Sequence, residues 1–450
     1  MGAPEFEQAD RWERGSRERV ALDCLEAGID AAHPDTVVAD AVDLEGDVLR
    51  VADARFDLDA YDDIVVLGGG KAAGTVARAL ERVLGDRLSG AVVTDDPVDT
   101  AFVDVLPGDH PIPSADGVAS TRRVLDRAAD AGERTLVLAV VTGGASALLA
   151  APVDGIDLTD LRATTDALLR SGATIHELNS VRKHLSAVKG GRLARELAPA
   201  RVATLVFSDV VGDDLDVVGS GPTVPDSSTY ADALAVLDDY GVDAPEAVVE
   251  RLEAGARGER DETPGAESSA FDRVSAHVLA NADTAVSAAA AAAADAGYTP
   301  LVLSTRVRGE AREAALSHVA VAEEAAATGR PVEPPAAVVA GGEVTVTVGD
   351  SPGVGGPNLE FALAAARELA GDDALGVLAT VDTDGIDGAA DAAGALVTAE
   401  TVEDGRAARR ALREHDVSPV LDDAGALLRC GQTGTNVNDL RVHLVGAGEE

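Results

Sequence analysis

The chain has no apolar run of about 18 residues, which excludes a helical membrane span, and it has only two cysteines. Cys24 and Cys430 lie at opposite ends with no CxxC or Cys/His spacing, which argues against a disulfide framework, a zinc site or a redox pair and leaves both as packing thiols. Positive charge is scarce: 37 basic residues face 79 acidic ones, for a net charge of −42. Only three of the basic residues are lysines, namely Lys71, Lys183 and Lys189. The acidic residues form no block, so they describe an anionic surface rather than a tail. Such a surface excludes nucleic acid and anionic lipid as partners. It suits a saline cytoplasm, where a Debye length of about 3 Å at molar salt mutes self-repulsion. The first twenty residues mix both charge signs without an apolar core, so neither a secretory signal nor an anchor is expected and the expected location is cytoplasmic.

What is present is globular. A hydrophobic fraction of 46% over 450 residues is more than one ordinary core and predicts two domains, with a ligand cleft between them as the default. DDIVVLGGG followed by KAAGTVARALERVL is a strand, a glycine turn and a helix with one apolar face. TLVLAVVTGGASALLA repeats that plan, and VATLVFSD is a third strand. The alternation predicts an α/β fold with a mainly parallel sheet, whose ligands sit beyond the carboxyl ends of the strands. Residues 254–270 are polar and aperiodic and read as a linker, which sets domains at 1–253 and 271–450. Beyond it come the strands VSAHVLAN, YTPLVLST, PAAVVAGG, EVTVTV and ALGVLAT, with an Ala-rich helix around 285–294 in a tight layer.

The chemistry-bearing residues cluster at the ends of those strands. LGGGKAAG places Lys71 at a helix start behind Gly69 and Gly70, where backbone N–H groups and the helix dipole favour an anion such as phosphate; the Walker A spacing is absent. VTGGASALL places Ser146 behind Gly143 and Gly144, either as an N-cap or as a contact to a phosphate or substrate hydroxyl; the GxSxG elbow is missing. HELNSVRKHLSAVKGGRLA concentrates Arg182, Lys183, Lys189, Arg192 and His184 in one segment, read as a helix from about Asn179 to the Gly190-Gly191 break with Arg182 and Ser186 on one face. Anion recognition is expected of it rather than a solvated basic face. FSDVVGDDLDVVGSGPT gathers Asp209, Asp213, Asp214 and Asp216 after a strand. Hard oxygen donors of this kind suit Mg²⁺ held by one or two carboxylates plus substrate phosphates, with Asp209 favoured by its place at the strand terminus. In the second half, Gly342, Asn358, Asp384, Thr435, Asn436 and Asp439 occupy strand or turn ends and are the candidate binding positions of a convergent site. Asp382, Asp384 and Asp387 lack EF-hand spacing, which argues against calcium.

In order along the chain, GGGKA, TGGASALL, NSVRKHLSAVKGGRLA, SDVVGDDLDVVGSGPT, GGEVTVTV, GGPNLEFAL, TDGIDG and TGTNVNDLRV resemble the glycerate 2-kinase family with a C-terminal MOFRL domain, from about residue 15 to 447. The resemblance implies two α/β domains, the first Rossmann-like, with the active site in the interdomain cleft, and it implies Lys71 and Asp209 as active-site positions. It also implies ATP and Mg²⁺ as cofactors, D-glycerate as acceptor and 2-phospho-D-glycerate as product. Where that family shows an arginine in a GGRNQE-like motif, this chain has Pro357, which offers no charge-assisted hydrogen bond to phosphate. Either another cation, such as Arg306 or Arg308, supplies that charge, or the substrate or rate differs. The competing readings are an NAD(P)H-dependent hydroxypyruvate reductase, a kinase giving the 3-phosphate and a non-catalytic sensor. A homodimer is the oligomeric state to test.

Overall fold

The computed structural model describes residues 5–7, 9–349 and 353–446. The chain divides into two compact units, one formed by residues 37–279 and the other by residues 1–36 together with 280–450. This division differs from the expected linker at 254–270, which lies within the first unit and is tied to it by side chains. Thr263 donates to Asp226 at 2.8 Å, and Glu262 accepts from the Tyr230 amide. The N-terminal helix Arg17–Ala32 packs instead on the Ala-rich helix Ala282–Asp295. Gly28 makes that layer tight, because a Cβ there would lie 2.8 Å from the Ala285 carbonyl oxygen.

In residues 37–279, a small antiparallel meander of β1 (Val42–Glu45), β2 (Val48–Val51) and β3 (Ala54–Asp57) precedes the main sheet. The main sheet holds β4 (Asp63–Gly69), β5 (Leu88–Thr94), β6 (Val103–Pro107), β7 (Thr135–Thr142), β8 (Arg201–Phe207) and β9 (Val274–Ala280), ordered β6-β5-β4-β7-β8-β9. The pairings from β6 to β8 are all parallel, as the strand and helix alternation predicts. β7 is buried at every residue, which is why it reads as an unbroken apolar run. Because β4, β7 and β8 are adjacent and parallel, the loops after Gly69, Thr142 and Phe207 emerge side by side.

The second unit holds β10 (Thr299–Glu310), β11 (Ala336–Thr345), β12 (Val377–Asp382), β13 (Gly394–Thr398), β14 (Leu427–Leu428) and β15 (Asp439–Val445), ordered β10-β11-β15-β12-β13-β14. PAAVVAGG and EVTVTV, expected as two strands, merge into β11. Only β10 and β11 pair in parallel; β15 inserts antiparallel between β11 and β12, and β12 to β14 are antiparallel. Both cysteines are unpaired thiols, with burial pushing Cys24 up to about 12 and Cys430 up to about 11, which suits inert packing.

Candidate active site

The glycine turn after β4 is built by close backbone approach. Gly70 has φ +136°, and a Cβ there would fall 2.1 Å from Thr142 Oγ1; only glycine fits. The Ala72 amide then donates to Thr142 Oγ1 at 3.2 Å, the Lys71 amide donates to the Gly143 carbonyl at 2.8 Å, and Thr94 Oγ1 donates to the Lys71 carbonyl at 2.9 Å. Gly69, on β4, also packs closely, since a Cβ there would stand 2.8 Å from the Val93 oxygen. Lys71 is thus pinned at the backbone to the loops of two neighbouring strands.

Gly143 and Gly144 form a turn with Lys71 on one side and Asp209 on the other. A Cβ at Gly143 would meet Asp209 Oδ2 at 2.5 Å, and a Cβ at Gly144 would meet Lys71 Cγ at 3.0 Å and His110 Cδ2 at 3.1 Å. The two residues chosen from sequence as catalytic therefore converge on one turn at the carboxyl ends of β4, β7 and β8. Sequence reasoning passed over His110, although its loop follows β6 at the same end of the sheet. Ser146 is not an N-cap: Gly144 holds that position with φ +78°, and Ser146 lies inside the short helix Ala145–Leu148. Its hydroxyl is 2.8 Å from Ser220 Oγ, which donates to Asn179 Oδ1 at 3.0 Å.

The basic segment divides three ways. Its helix runs Ile175–His184, started by a Thr174/Glu177 capping box, and ends before Ser186, so the expected common face of Arg182 and Ser186 does not form. Lys183, 2% exposed, is ion-paired with Asp216 and, at 3.2 Å, with Asp226, which makes it a buried scaffold residue. His184 likewise contacts Ser180 and Glu262. Lys189 lies past the helix, 3% exposed, with its ammonium donating to the Leu149 carbonyl at 3.2 Å. Burial and the neighbouring Arg182 hold Lys189 well below the usual lysine range, and burial pushes Arg182 down to about 10.

The acidic loop after β8 does not gather its carboxylates. Asp216 pairs with Lys183, and Asp214 accepts from the Asp216 amide. Among the described residues, no group of three or more Asp, Glu, His or Cys is placed to hold a metal ion. The acids of TDGIDG are also engaged with backbone: Asp382 accepts from the Asp384 amide, and Asp384 from the Ile386 amide.

In the other unit, Asp387 caps the helix Pro357–Leu369, accepting from the Asn358 amide at 2.9 Å and the Leu359 amide at 2.8 Å. Asn358, fully buried, donates to Asp439 Oδ1 at 2.6 Å and accepts from Thr380 at 2.5 Å. Asp439, paired in register with Gly342, also accepts from the Val344 amide at 2.9 Å and from Arg441 at 2.6 Å. Gly342, Asn358 and Asp439 are thus brought together as a buried network, joined by Asp387, Thr380 and Arg441. Thr435 is buried and donates to the Ala32 carbonyl at 2.7 Å. Asp384 and Asn436 keep partly exposed side chains on neighbouring loops, bridged where the Thr433 amide donates to the Asp384 carbonyl at 3.1 Å. Pro357 opens its helix, where a missing N–H costs nothing. Arg306 and Arg308 are exposed on β10, Arg308 opposite Glu343.

Comparison with known proteins adds the family. Residues 20–253 match the domain of unknown function DUF4147, and residues 336–439 match the MOFRL family. A glycerate 2-kinase of Pyrococcus horikoshii is 38% identical, covering 95% of this chain and 98% of that protein. A D-glycerate 2-kinase of Thermotoga maritima is also 38% identical, over 96% and 99%. A protein of Agrobacterium vitis whose name provisionally assigns it to hydroxypyruvate reduction is 42% identical over 85% and 87%. A crystal structure from Pyrococcus horikoshii OT3 matches with a TM-score of 0.81 at 37% identity, covering 96% of this chain and 99% of that one. That of the glycerate kinase from Thermotoga maritima matches with 0.80 at 36%, covering 95% and 99%. The chain therefore belongs to the glycerate kinase family that joins a DUF4147 domain to a MOFRL domain.

Proposed function

We propose that the protein is an ATP-dependent glycerate kinase that phosphorylates the 2-hydroxyl of D-glycerate. The observation that carries this reading is the placing of Lys71 and Asp209 on the two flanks of the Gly143-Gly144 turn. Phosphoryl transfer asks for aligned reactants and neutralised charge more than for covalent chemistry. The Lys71 ammonium offsets charge on the transferred phosphoryl group, while the Asp209 carboxylate orients the acceptor hydroxyl and takes its proton. The Gly143-Gly144 backbone lets phosphate and acceptor approach between them. Arg182 and Lys189 supply anion recognition, and Asp384 and Asn436 are kept as candidate ligand contacts. Asn358, Asp439, Gly342 and Thr435 act by holding loops in place.

Asp209 has the hard-oxygen chemistry that Mg²⁺ requires, and a single carboxylate is compatible with an ion held mainly by nucleotide phosphates. Bound there, the ion would supply further charge neutralisation. Lys183 serves the scaffold and not the ligand, because both of its partners are carboxylates of its own chain. A cytoplasmic, saline setting is supported by the net charge of −42 and is consistent with the finding that no described helix is long and apolar enough to cross a membrane. The Agrobacterium relative keeps NAD(P)H-dependent reduction of hydroxypyruvate as the second reading. Loss of nicotinamide absorbance with hydroxypyruvate, without ATP, would favour it; ADP release that depends on D-glycerate favours the kinase.

A further inference from the structure

In a chain with 79 acidic residues, two cations near the glycine turn are left without a carboxylate. Arg182 has neither a hydrogen bond nor an ion pair to any described protein group, although it is largely enclosed. Lys189 beside it is 3% exposed and has the Leu149 carbonyl as its hydrogen-bond partner. Burying two neighbouring cations without a counter-charge is unfavourable, and their mutual repulsion adds to it. On the same helix the cost is met at Lys183, the next residue, which has two carboxylates. The difference points to an anion supplied from outside the chain.

A third, independent group faces the same region. Asn179 is three residues before Arg182 on the same helix, and so on the same face. It is 2% exposed, and its Nδ2 is buried with no partner. Its Oδ1 is taken by Ser220, which in turn touches Ser146. Ser220 keeps that position in a left-handed conformation, φ +61°, between Gly219 at +59° and Gly221 at +63°, a strained arrangement for a serine. A track of hydrogen-bonded side chains therefore leads from the helix start behind Gly144, through Ser146 and Ser220, to Asn179, one helical turn before Arg182.

We propose that this track is the carboxylate subsite for the acceptor: Arg182, backed by Lys189, binds the carboxylate of a 2-hydroxy acid, and the Asn179 amide donates to the same ligand. The proposal rests on the kinase reading for the direction in which the hydroxyl points, towards Lys71 and Asp209. A planar guanidinium can grip a carboxylate through two parallel hydrogen bonds, and the ammonium behind it adds charge without needing a second bond. The nucleotide phosphates are left to the Lys71 side of the turn.

The test uses the full-length protein and the variants Arg182→Gln, Arg182→Lys and Asn179→Ala, each checked by circular dichroism and melting temperature. The subsite predicts that Arg182→Gln raises KM for D-glycerate at least about tenfold, the scale of one lost charge-assisted hydrogen bond, with KM for ATP unchanged within about twofold. The preference for D-glycerate over glycerol would fall with it, and Arg182→Lys would recover part of the loss. A rise in KM for ATP with KM for D-glycerate unmoved would overturn the assignment in favour of a phosphate site. Should Arg182→Gln not fold, Asn179→Ala carries the same comparison. Calorimetric binding of D-glycerate without ATP separates the two levels. Binding by wild type and its loss in Arg182→Gln supports the subsite even if no phosphoryl transfer occurs. Equal binding by both in an active kinase rejects the subsite alone.

Discussion

Gly143 and Asp209 approach closely across the turn: a Cβ at Gly143 would lie 2.5 Å from Asp209 Oδ2 and 2.9 Å from its Cγ. Gly143 is not among the glycines with positive φ, so alanine meets no backbone strain there, and its methyl group meets the Asp209 side chain first. Gly143→Ala should therefore fold with a melting temperature within a few degrees of wild type and lose kcat by roughly 10²-fold or more, the scale on which misplacing a reacting group by about 1 Å is felt. Steady-state kinetics beside a thermal melt check this; unchanged kcat in a folded variant would remove Asp209 from the reaction.

Asp387 predicts a stability effect in the other unit. Its carboxylate, 1% exposed, accepts from the Asn358 and Leu359 amides and from Asn358 Nδ2. Asn at this position turns an N–H group towards N–H groups and leaves a buried donor unmet, at about 1–3 kcal/mol. Asp387→Asn should lower the melting transition of that unit by several degrees, about 2–4 °C per kcal/mol for a unit of this size. Calorimetry is the direct measurement.

The stacked imidazoles of His318 and His443, ring centroids 5.7 Å apart, give a pH dependence of definite sign. Burial holds His443 down at about 4 and His318 well below its ordinary value. The unfolded chain takes up these protons near pH 6.5 while the folded chain refuses them. Their contribution is thus complete above pH 6.5 and is lost as pH falls towards 4, by about 3 kcal/mol for His443. Half-buried Asp382 and buried Asp387, both raised by desolvation, tilt the total the other way. The clean measurement is the difference between wild type and His443→Gln, which keeps a donor for the Leu375 carbonyl: wild-type stability relative to the variant should fall between pH 6.5 and 4.

Charge sets a fourth expectation. With a net charge of −42, repulsion over a Debye length of about 10 Å at 0.1 M salt should weaken the fold, and shortening it to about 3 Å at 1 M should restore it. The melting temperature should climb steadily with KCl across that range. A flat or falling curve would mean that the acidic surface gives no salt adaptation.

The strands β4, β7 and β8 were legible because long apolar runs constrain local structure strongly, and Lys71 stood out because lysine is rare here. The ion pairs of Lys183 were not legible for a physical reason: it neighbours Arg182 in sequence but points about 100° away around the helix. What it meets there, Asp226, is 43 residues distant. The domain division was hidden in the same way, since residues 254–270 look like a linker by composition while Thr263 and Glu262 anchor them. The role of Asp387 as a cap for Asn358 and Leu359 crosses 29 and 28 residues, with no pattern at either end to announce it.

The central claim is tested most directly by an ADP-release assay at high KCl with ATP, Mg²⁺ and D-glycerate, run on wild type and Lys71→Met, with the product identified by ³¹P NMR. The account predicts glycerate-dependent ADP release, a 2-phosphoglycerate resonance and a loss of kcat of at least about 10²-fold in Lys71→Met. Folded wild-type protein that releases no ADP, or a Lys71→Met variant with near-normal kcat, would contradict it.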